Sequence, residues 1–369
     1  MAAQSAVEGV GVTQFSDVYR GCRVLLTGHT GFKGSWLALW LKQLGAEVHG
    51  VALAPQTTPN HWDLLGSGVD SRILDLRDVE SLRPAVHEAR PHIVFHLAAQ
   101  PLVRRSYRDP LETWSTNVLG TANLLDACRG LEGLRAIVVV TSDKCYENRE
   151  WVWGYREIDP LGGHDPYSAS KAAAELVTAS CRSAFFSGPG SPYVATARAG
   201  NVIGGGDWSE DRLVPDLVRA IARGESVQIR SPHATRPWQH VLESLSGYLL
   251  LGSGLLQGRS DLAGAWNFGP DADGNRSVAA FLDAFAARWP ALRWAHALAD
   301  NPQEAGLLHL DSSKARAVLG WRPVWGFDGA LDRTAEWYRR HAVNGEICSA
   351  AQVDAYVRDA RTAGAAWCT

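Results

Sequence analysis

Short runs that are apolar almost throughout alternate with longer stretches of helical spacing over the first 200 residues, and this alternation constrains the fold more than any other feature. Residues 23–27, 47–53, 73–76, 92–98, 136–141 and 193–199 read as strands, and 31–44, 79–90, 111–129 and 167–186 as helices. A strand apolar on both faces must be covered on both faces, and strands that alternate with helices join in parallel. The expected fold class is α/β with a doubly wound parallel sheet. Beyond residue 200 the pattern loosens. There 213–223, 278–288 and 312–319 read as helices and 227–230 as a short strand.

The first strand runs straight into Gly28-His-Thr-Gly31-Phe-Lys-Gly34, and the first helix follows. Glycines permit a tight turn and let the backbone come close to a pyrophosphate. The helix N-terminus then points its N–H groups at that anion. Three glycines alone mean little in a chain with 36 of them. Their place inside the first strand–helix–strand unit makes a dinucleotide loop, and hence a Rossmann-type sheet, the expectation. The predicted organisation is a dinucleotide-binding domain over 20–200 with parts of 235–270. A smaller, mostly C-terminal α/β lobe for the substrate takes 201–235 and 270–340, and a helical tail takes 341–369. Asp75, after the third strand, is a candidate for the adenine amino group. The second strand ends Val51-Ala-Leu-Ala-Pro55 with no acid to hold the ribose hydroxyls. His29 and Lys33 could instead face an added phosphate, so NAD is expected with NADP left open.

A second constellation lies farther along. Tyr167-Ser-Ala-Ser-Lys171 opens a helix, and residues four apart share a helix face. An ammonium one turn from a phenol lowers the phenol's pKa, so that Tyr167 can take a proton from a hydroxyl near neutral pH. The strand 136–141 ends at Thr141-Ser-Asp-Lys144, and strand C-termini line the ligand crevice of a doubly wound sheet. Ser142 can bond the reacting hydroxyl or Tyr167, while Asp143 and Lys144 add an acid and a base.

Composition removes other classes. Lys+Arg 36 against Asp+Glu 39 gives a net charge of -3, which argues against nucleic acid or an anionic membrane as partner. The 6 cysteines form no Cys-x-x-Cys pair and no zinc spacing, so no metal is expected and a reducing, cytoplasmic setting is. Residues 1–20 do not read as a secretory leader, and no apolar run reaches the roughly 20 residues of a membrane span.

The stretches Thr27-Gly-His-Thr-Gly-Phe-Lys-Gly-Ser-Trp36, Ala98-Ala-Gln-Pro-Leu-Val103, Ser115-Thr-Asn-Val118, Thr141-Ser-Asp-Lys-Cys-Tyr146, Asn148-Arg-Glu-Trp-Val-Trp-Gly-Tyr155, Arg198-Ala-Gly-Asn-Val-Ile-Gly-Gly-Gly-Asp-Trp208, Arg236-Pro-Trp-Gln-His240 and Trp266-Asn-Phe-Gly-Pro270 carry a resemblance. With them the chain resembles the extended short-chain dehydrogenase/reductases, and within these the nucleotide-sugar 4,6-dehydratases acting on CDP-glucose. Lys144 stands where the related dTDP-glucose enzymes typically have Glu, and Ala54 stands where the family would place an acid. The resemblance implies Ser142, Asp143, Lys144, Tyr167 and Lys171 as catalytic. It implies Gly28, Thr30, Gly31, Phe32, Lys33, Gly34, Asp75, Leu76, Leu97, Ala98, Ala99 and Asn117 around the cofactor, with Tyr167 and Lys171. Gln100, Arg104, Asn201, Arg212, Arg236 and His240 are implied for the substrate. It further implies dehydration of CDP-glucose by internal hydride transfer, and a homodimer through the helices near 111–129 and 167–186. A nucleotide-sugar 4-epimerase, a 4,6-dehydratase of another nucleotide hexose and a non-catalytic cofactor sensor are the alternatives. The epimerase needs no acid/base pair to expel water, and the sensor would lack the active tyrosine.

Overall fold

The computed structural model describes residues 12–66, 68–297 and 307–369. The start of the N-terminal segment read as no leader, and part of the 270–340 lobe, lie outside them. Seven parallel strands form the central sheet: β1 (Arg23–Thr27), β2 (Glu47–Ala52), β3 (Asp70–Ile73), β4 (Ile93–His96), β5 (Ala136–Val140), β6 (Tyr193–Ala199) and, later in the chain, Ala265–Phe268 at one edge. In space the order runs from that edge strand through β6, β5, β4 and β1 to β2 and β3. It reverses between β1 and β4, and the crevice beyond the strand ends at such a switch is where doubly wound folds take ligands.

The third strand lies three residues earlier than expected. The apolar run at 74–76 had marked it, but the segment that pairs with β2 is the exposed edge Asp70–Ile73. Leu76 leaves the sheet to pack in the core on its second face.

The helices cover both faces. α1 (Phe32–Gln43), α2 (His61–Leu65) and α3 (Val79–Ala89) follow the first strands. α4 (Val103–Arg108) and α5 (Pro110–Trp114) follow β4. A π-type turn over Ser115–Leu119 then leads into α6 (Gly120–Ala127), where a single helix was expected. α7 (Pro166–Phe185) is capped by Asp165, whose carboxylate accepts from Ser168 N, with Pro166 in the first turn where its missing N–H costs nothing.

After β6 come β7 (Val202–Ile203), α8 (Leu213–Arg223), β8 (Ser226–Ile229), β9 (Thr235–Pro237) and β10 (Gln239–His240). α9 (Val241–Leu256) is buried along nearly its whole length, which explains why it carries no amphipathic stripe for a sequence reading to find. The edge strand Ala265–Phe268 is β11, followed by β12 (Asn275–Ser277), α10 (Val278–Arg288) and β13 (Arg293–His296). The pairs β7·β10, β9·β12 and β8·β13 make three two-stranded ribbons beyond the sheet. α11 (Phe327–Asn344) and α12 (Ser349–Thr362) close the chain. The end returns to the start: Trp367 stacks on Phe15 at 4.9 Å, and Thr13 and Thr369 exchange backbone hydrogen bonds.

Candidate active site

The ends of β1, β2, β4, β5 and β6 open onto one cleft of about 620 Å³, closed on the far side by residues from 200–216, 228–238 and Val278. Every expected site residue lines it except Asn117 and His240.

The glycine turn meets the needs of a dinucleotide. Gly28 sits at φ 76, and a Cβ there would fall 2.6 Å from Ala98 N, so the turn lies directly on the end of β4. A Cβ on Gly34 would lie 2.0 Å from Gly28 O. Gly31 is the N-cap of α1 and offers no side chain, which leaves the first-turn N–H groups free for an anion. Thr30 Oγ1 donates to Leu53 O and holds the turn to the end of β2. These residues fit NAD: the turn would hold the pyrophosphate, and Asp75 and Leu76, lining the cleft after β3, would meet the adenosine. Asp75 accepts from Arg77 Nε and Nη2, and these bonds hold its carboxyl below the ordinary range.

The alternative of an added phosphate loses both its residues. His29 is fully buried, with Nε2 against Ser71 Oγ at 2.7 Å and its ring on the edge of Trp62, and burial takes its pKa down to about 4. Lys33 points to the other end of the cleft. Its Nζ lies 6.0 Å from the Tyr248 ring centre, and its charge acts on Asp143. Burial, with Arg212 and Lys171 nearby, brings its pKa down to about 7.

At that end, Ser142 caps a short turn over Asp143–Cys145, and its Oγ reaches Asp143 Oδ1 at 2.9 Å. Tyr167 faces the same cleft, and the Ser142 hydroxyl acts to lower its phenol against burial. Ser142 and Asp143 thus share a proton beside Tyr167. Burial pushes the Tyr167 phenol up to about 12 and takes Lys171 down to about 8, with Lys171 Nζ 3.5 Å from Val140 O. Burial also raises Asp143 against the pull of Lys144, Lys33 and Arg236, and its Oδ2 has no hydrogen-bond partner. A buried carboxyl raised this way is suited to carry a proton and give it up.

Three residues do not stand as expected. His240 is buried between Trp36 and Trp325, and its Nδ1 accepts from Leu242 N as the N-cap of α9, outside the cleft. Asn117, in the π-type turn, bonds the backbone of Gln100 in both directions and Ser170 Oγ, one layer behind the cleft; its neighbour Thr116 faces the cleft instead. The Gln100 amide is spent on Leu102 and Thr113, so only the rest of that residue meets the cleft. The sequence reading also missed residues. Asp207 holds Arg212 at 3.1 Å and Asp211 holds Arg104 at 2.9 Å. The only signal for Asp207 was its place in the stretch ending at Trp208.

A strand–glycine–helix turn, a Ser-Asp-Lys strand end and a Tyr-x-x-x-Lys helix facing one cleft call for comparison with known proteins. The NAD dependent epimerase/dehydratase family model matches residues 24–258. The chain belongs to that family. A CDP-glucose 4,6-dehydratase of Salmonella typhimurium is 47% identical over 354 residues, 92% of this chain and 98% of that protein. A dTDP-glucose 4,6-dehydratase of Streptomyces antibioticus is 30% identical over 326 residues, covering 86% and 92%. Among solved structures, MoeE5 in complex with UDP-glucuronic acid and NAD aligns with a TM-score of 0.71 at 28% identity, covering 86% of this chain and 99% of that one. No helix of the described residues is long and apolar enough to cross a membrane.

Proposed function

We propose that this family member dehydrates CDP-glucose to CDP-4-dehydro-6-deoxyglucose, as a cytoplasmic homodimer with NAD in the crevice. The observation that carries the reading is the Ser142-Asp143-Lys144 strand end set against Tyr167 and Lys171 in one cleft. An epimerase has no use for the Asp-Lys pair.

NAD, when bound, would supply a hydride acceptor for carbon 4 and, once reduced, a hydride donor for carbon 6 of the hexose. Tyr167 takes the proton of the 4-hydroxyl, with Ser142 on the same cleft wall to bond the reacting oxygen. Lys171 stabilises the phenolate that would otherwise be too basic. With carbon 4 a ketone, the hydrogen on carbon 5 is acidic. A neutral amine takes it and returns it to carbon 5 as hydride reaches carbon 6: Lys144 lies next to Asp143 in the chain, and Lys33 acts on Asp143 from α1. Asp143 gives its proton to the departing 6-hydroxyl, which leaves as water. Arg212 and Arg236 line the cleft and offer guanidinium forks to the substrate pyrophosphate. The organisation into a dinucleotide domain and a mostly C-terminal sugar-nucleotide lobe follows from this use of the cleft's two sides.

Product mass tests the reading. The protein with NAD is offered CDP-glucose, dTDP-glucose, UDP-glucose and GDP-mannose. Loss of one water from CDP-glucose is expected. Loss from another nucleotide instead would move the substrate, and an unchanged mass with an altered sugar would mean epimerisation.

A further inference from the structure

The face of α7 that carries Tyr167 and Lys171 continues one turn farther to Glu175, at spacing i, i+4, i+8. Glu175 contacts neither the cleft nor solvent. Its carboxylate accepts four hydrogen bonds. Thr141 Oγ1 and Arg198 Nε (2.9 Å) reach Oε1, while Thr196 Oγ1 (2.7 Å) and Arg198 Nη2 (2.8 Å) reach Oε2. Arg198, also buried, sends Nη1 to the Tyr146 hydroxyl at 2.7 Å, and that hydroxyl donates to Asn267 Oδ1 at 2.8 Å. Thr141 comes immediately before Ser142-Asp143-Lys144, and Tyr146 two residues after it. The pair therefore grips the acid/base segment from both sides.

Such a pair is not an economical way to gain stability. Taking two charges out of water costs about as much as their attraction returns, and well-packed apolar residues often do as well. Its geometry instead serves placement. We propose that Glu175, held by Arg198, is a positioning residue that fixes the segment 141–146 against the Tyr167–Lys171 face of α7. This rests on the dehydratase reading for its catalytic consequence but not for its structural one.

Thr141→Val and Thr196→Val each remove one hydroxyl from the same carboxylate and keep side-chain shape. Only Thr141 is tied to the catalytic segment; Thr196 belongs to β6. A merely structural role would treat the two alike. The expected result is a kcat at least tenfold lower for Thr141→Val, with KM within threefold, and a kcat within threefold of wild type for Thr196→Val. Amide hydrogen exchange over 141–146 should rise in Thr141→Val and not in Thr196→Val. In a third variant, Glu175→Gln, the loss of a negative charge that favours protonated Lys171 should move the alkaline limb of kcat/KM to lower pH. Equal kcat for the two valine variants, or unchanged exchange over 141–146 in Thr141→Val, overturns the proposal. If the wild type fails to dehydrate CDP-glucose, the substrate reading falls, and the exchange comparison decides this proposal by itself.

Discussion

At the scale of single residues, the proposed mechanism asks burial to set protonation states that water would not. It needs Asp143 to hold a proton near neutral pH, and burial favours that form. Asp143→Asn keeps the shape and removes the proton to give. Water loss should fall by a factor of about 10²–10⁴ while reduced cofactor still accumulates, read by absorbance with CDP-glucose present. Product formation at wild-type rate would remove Asp143 from the elimination. Lys171 makes the opposite demand. In the proposed mechanism it supports Tyr167 only when charged, and burial lowers its pKa to about 8. Below that value the charged form dominates, and above it the amine is neutral. kcat/KM should therefore decline as pH rises through about 8, well before an ordinary lysine would titrate. A profile flat to pH 10 would show that Lys171 is not held as described. The five catalytic candidates that the sequence singled out by their spacing all line one cleft. His240, Asn117 and the Gln100 amide lie elsewhere for one reason. A polar side chain next to a site is as often spent on holding the backbone as on the ligand, and only the fold reveals which.

Elements were legible where their pattern had a period. The strands β1, β2, β4, β5 and β6 and the helices α1, α3 and α7 followed from apolar runs and helical spacing, while the short helices α2 and α4 gave no signal. The signal failed at β3, whose pairing residues are exposed on the sheet edge, and at α9, which is buried all round. It also failed at the π-type turn, whose extra residue no period announces. α9 shows what binds the later elements. Its Glu243 is buried and accepts from Val324 N (2.9 Å), Trp325 N (2.7 Å) and the Tyr356 hydroxyl (2.7 Å), so one carboxyl ties α9 to the approach of α11 and to α12. Glu243→Ala should cost about 3 kcal/mol in denaturant unfolding, because two buried amides lose their acceptor. Burial raises this carboxyl to about 7. A group raised in the fold adds stability at low pH and loses it as pH climbs through the folded value. The stability gap between wild type and Glu243→Ala should thus be widest near pH 5 and narrow by pH 8. At the other end of the sheet, Gly34→Ala would drive a Cβ onto Gly28 O. It should cost about 3 kcal/mol and abolish the thermal shift produced by NAD; a normal shift would mean that the turn is looser than described.

At the scale of the whole molecule, one surface remains to be covered. α5, the π-type turn, α6 and α7 pack side by side, and their outer face exposes Leu111 (79%), Leu119 (59%), Leu176 (61%) and Phe185 (49%), with Trp114 beside them. Leu176 follows Tyr167 by nine residues, which at 3.6 residues per turn sets it on the opposite side of α7. The helix that carries the catalytic tyrosine inward therefore carries a leucine outward. Scattered exposed leucines mean little, but apolar side chains exposed on helices that pack side by side are what a twofold partner would cover, since the same patch can meet itself. This face lies across α7 from Tyr167, so dimerisation there would serve stability and leave chemistry to each subunit. Light scattering of the wild type at micromolar concentration should give twice the chain mass. Leu119→Glu/Leu176→Glu places like charges on that face and should give one chain mass, a lower Tm and a kcat within about threefold of wild type. A monomeric wild type would remove the dimer. A double variant that becomes monomeric and loses all turnover would mean that the partner helps to shape the site.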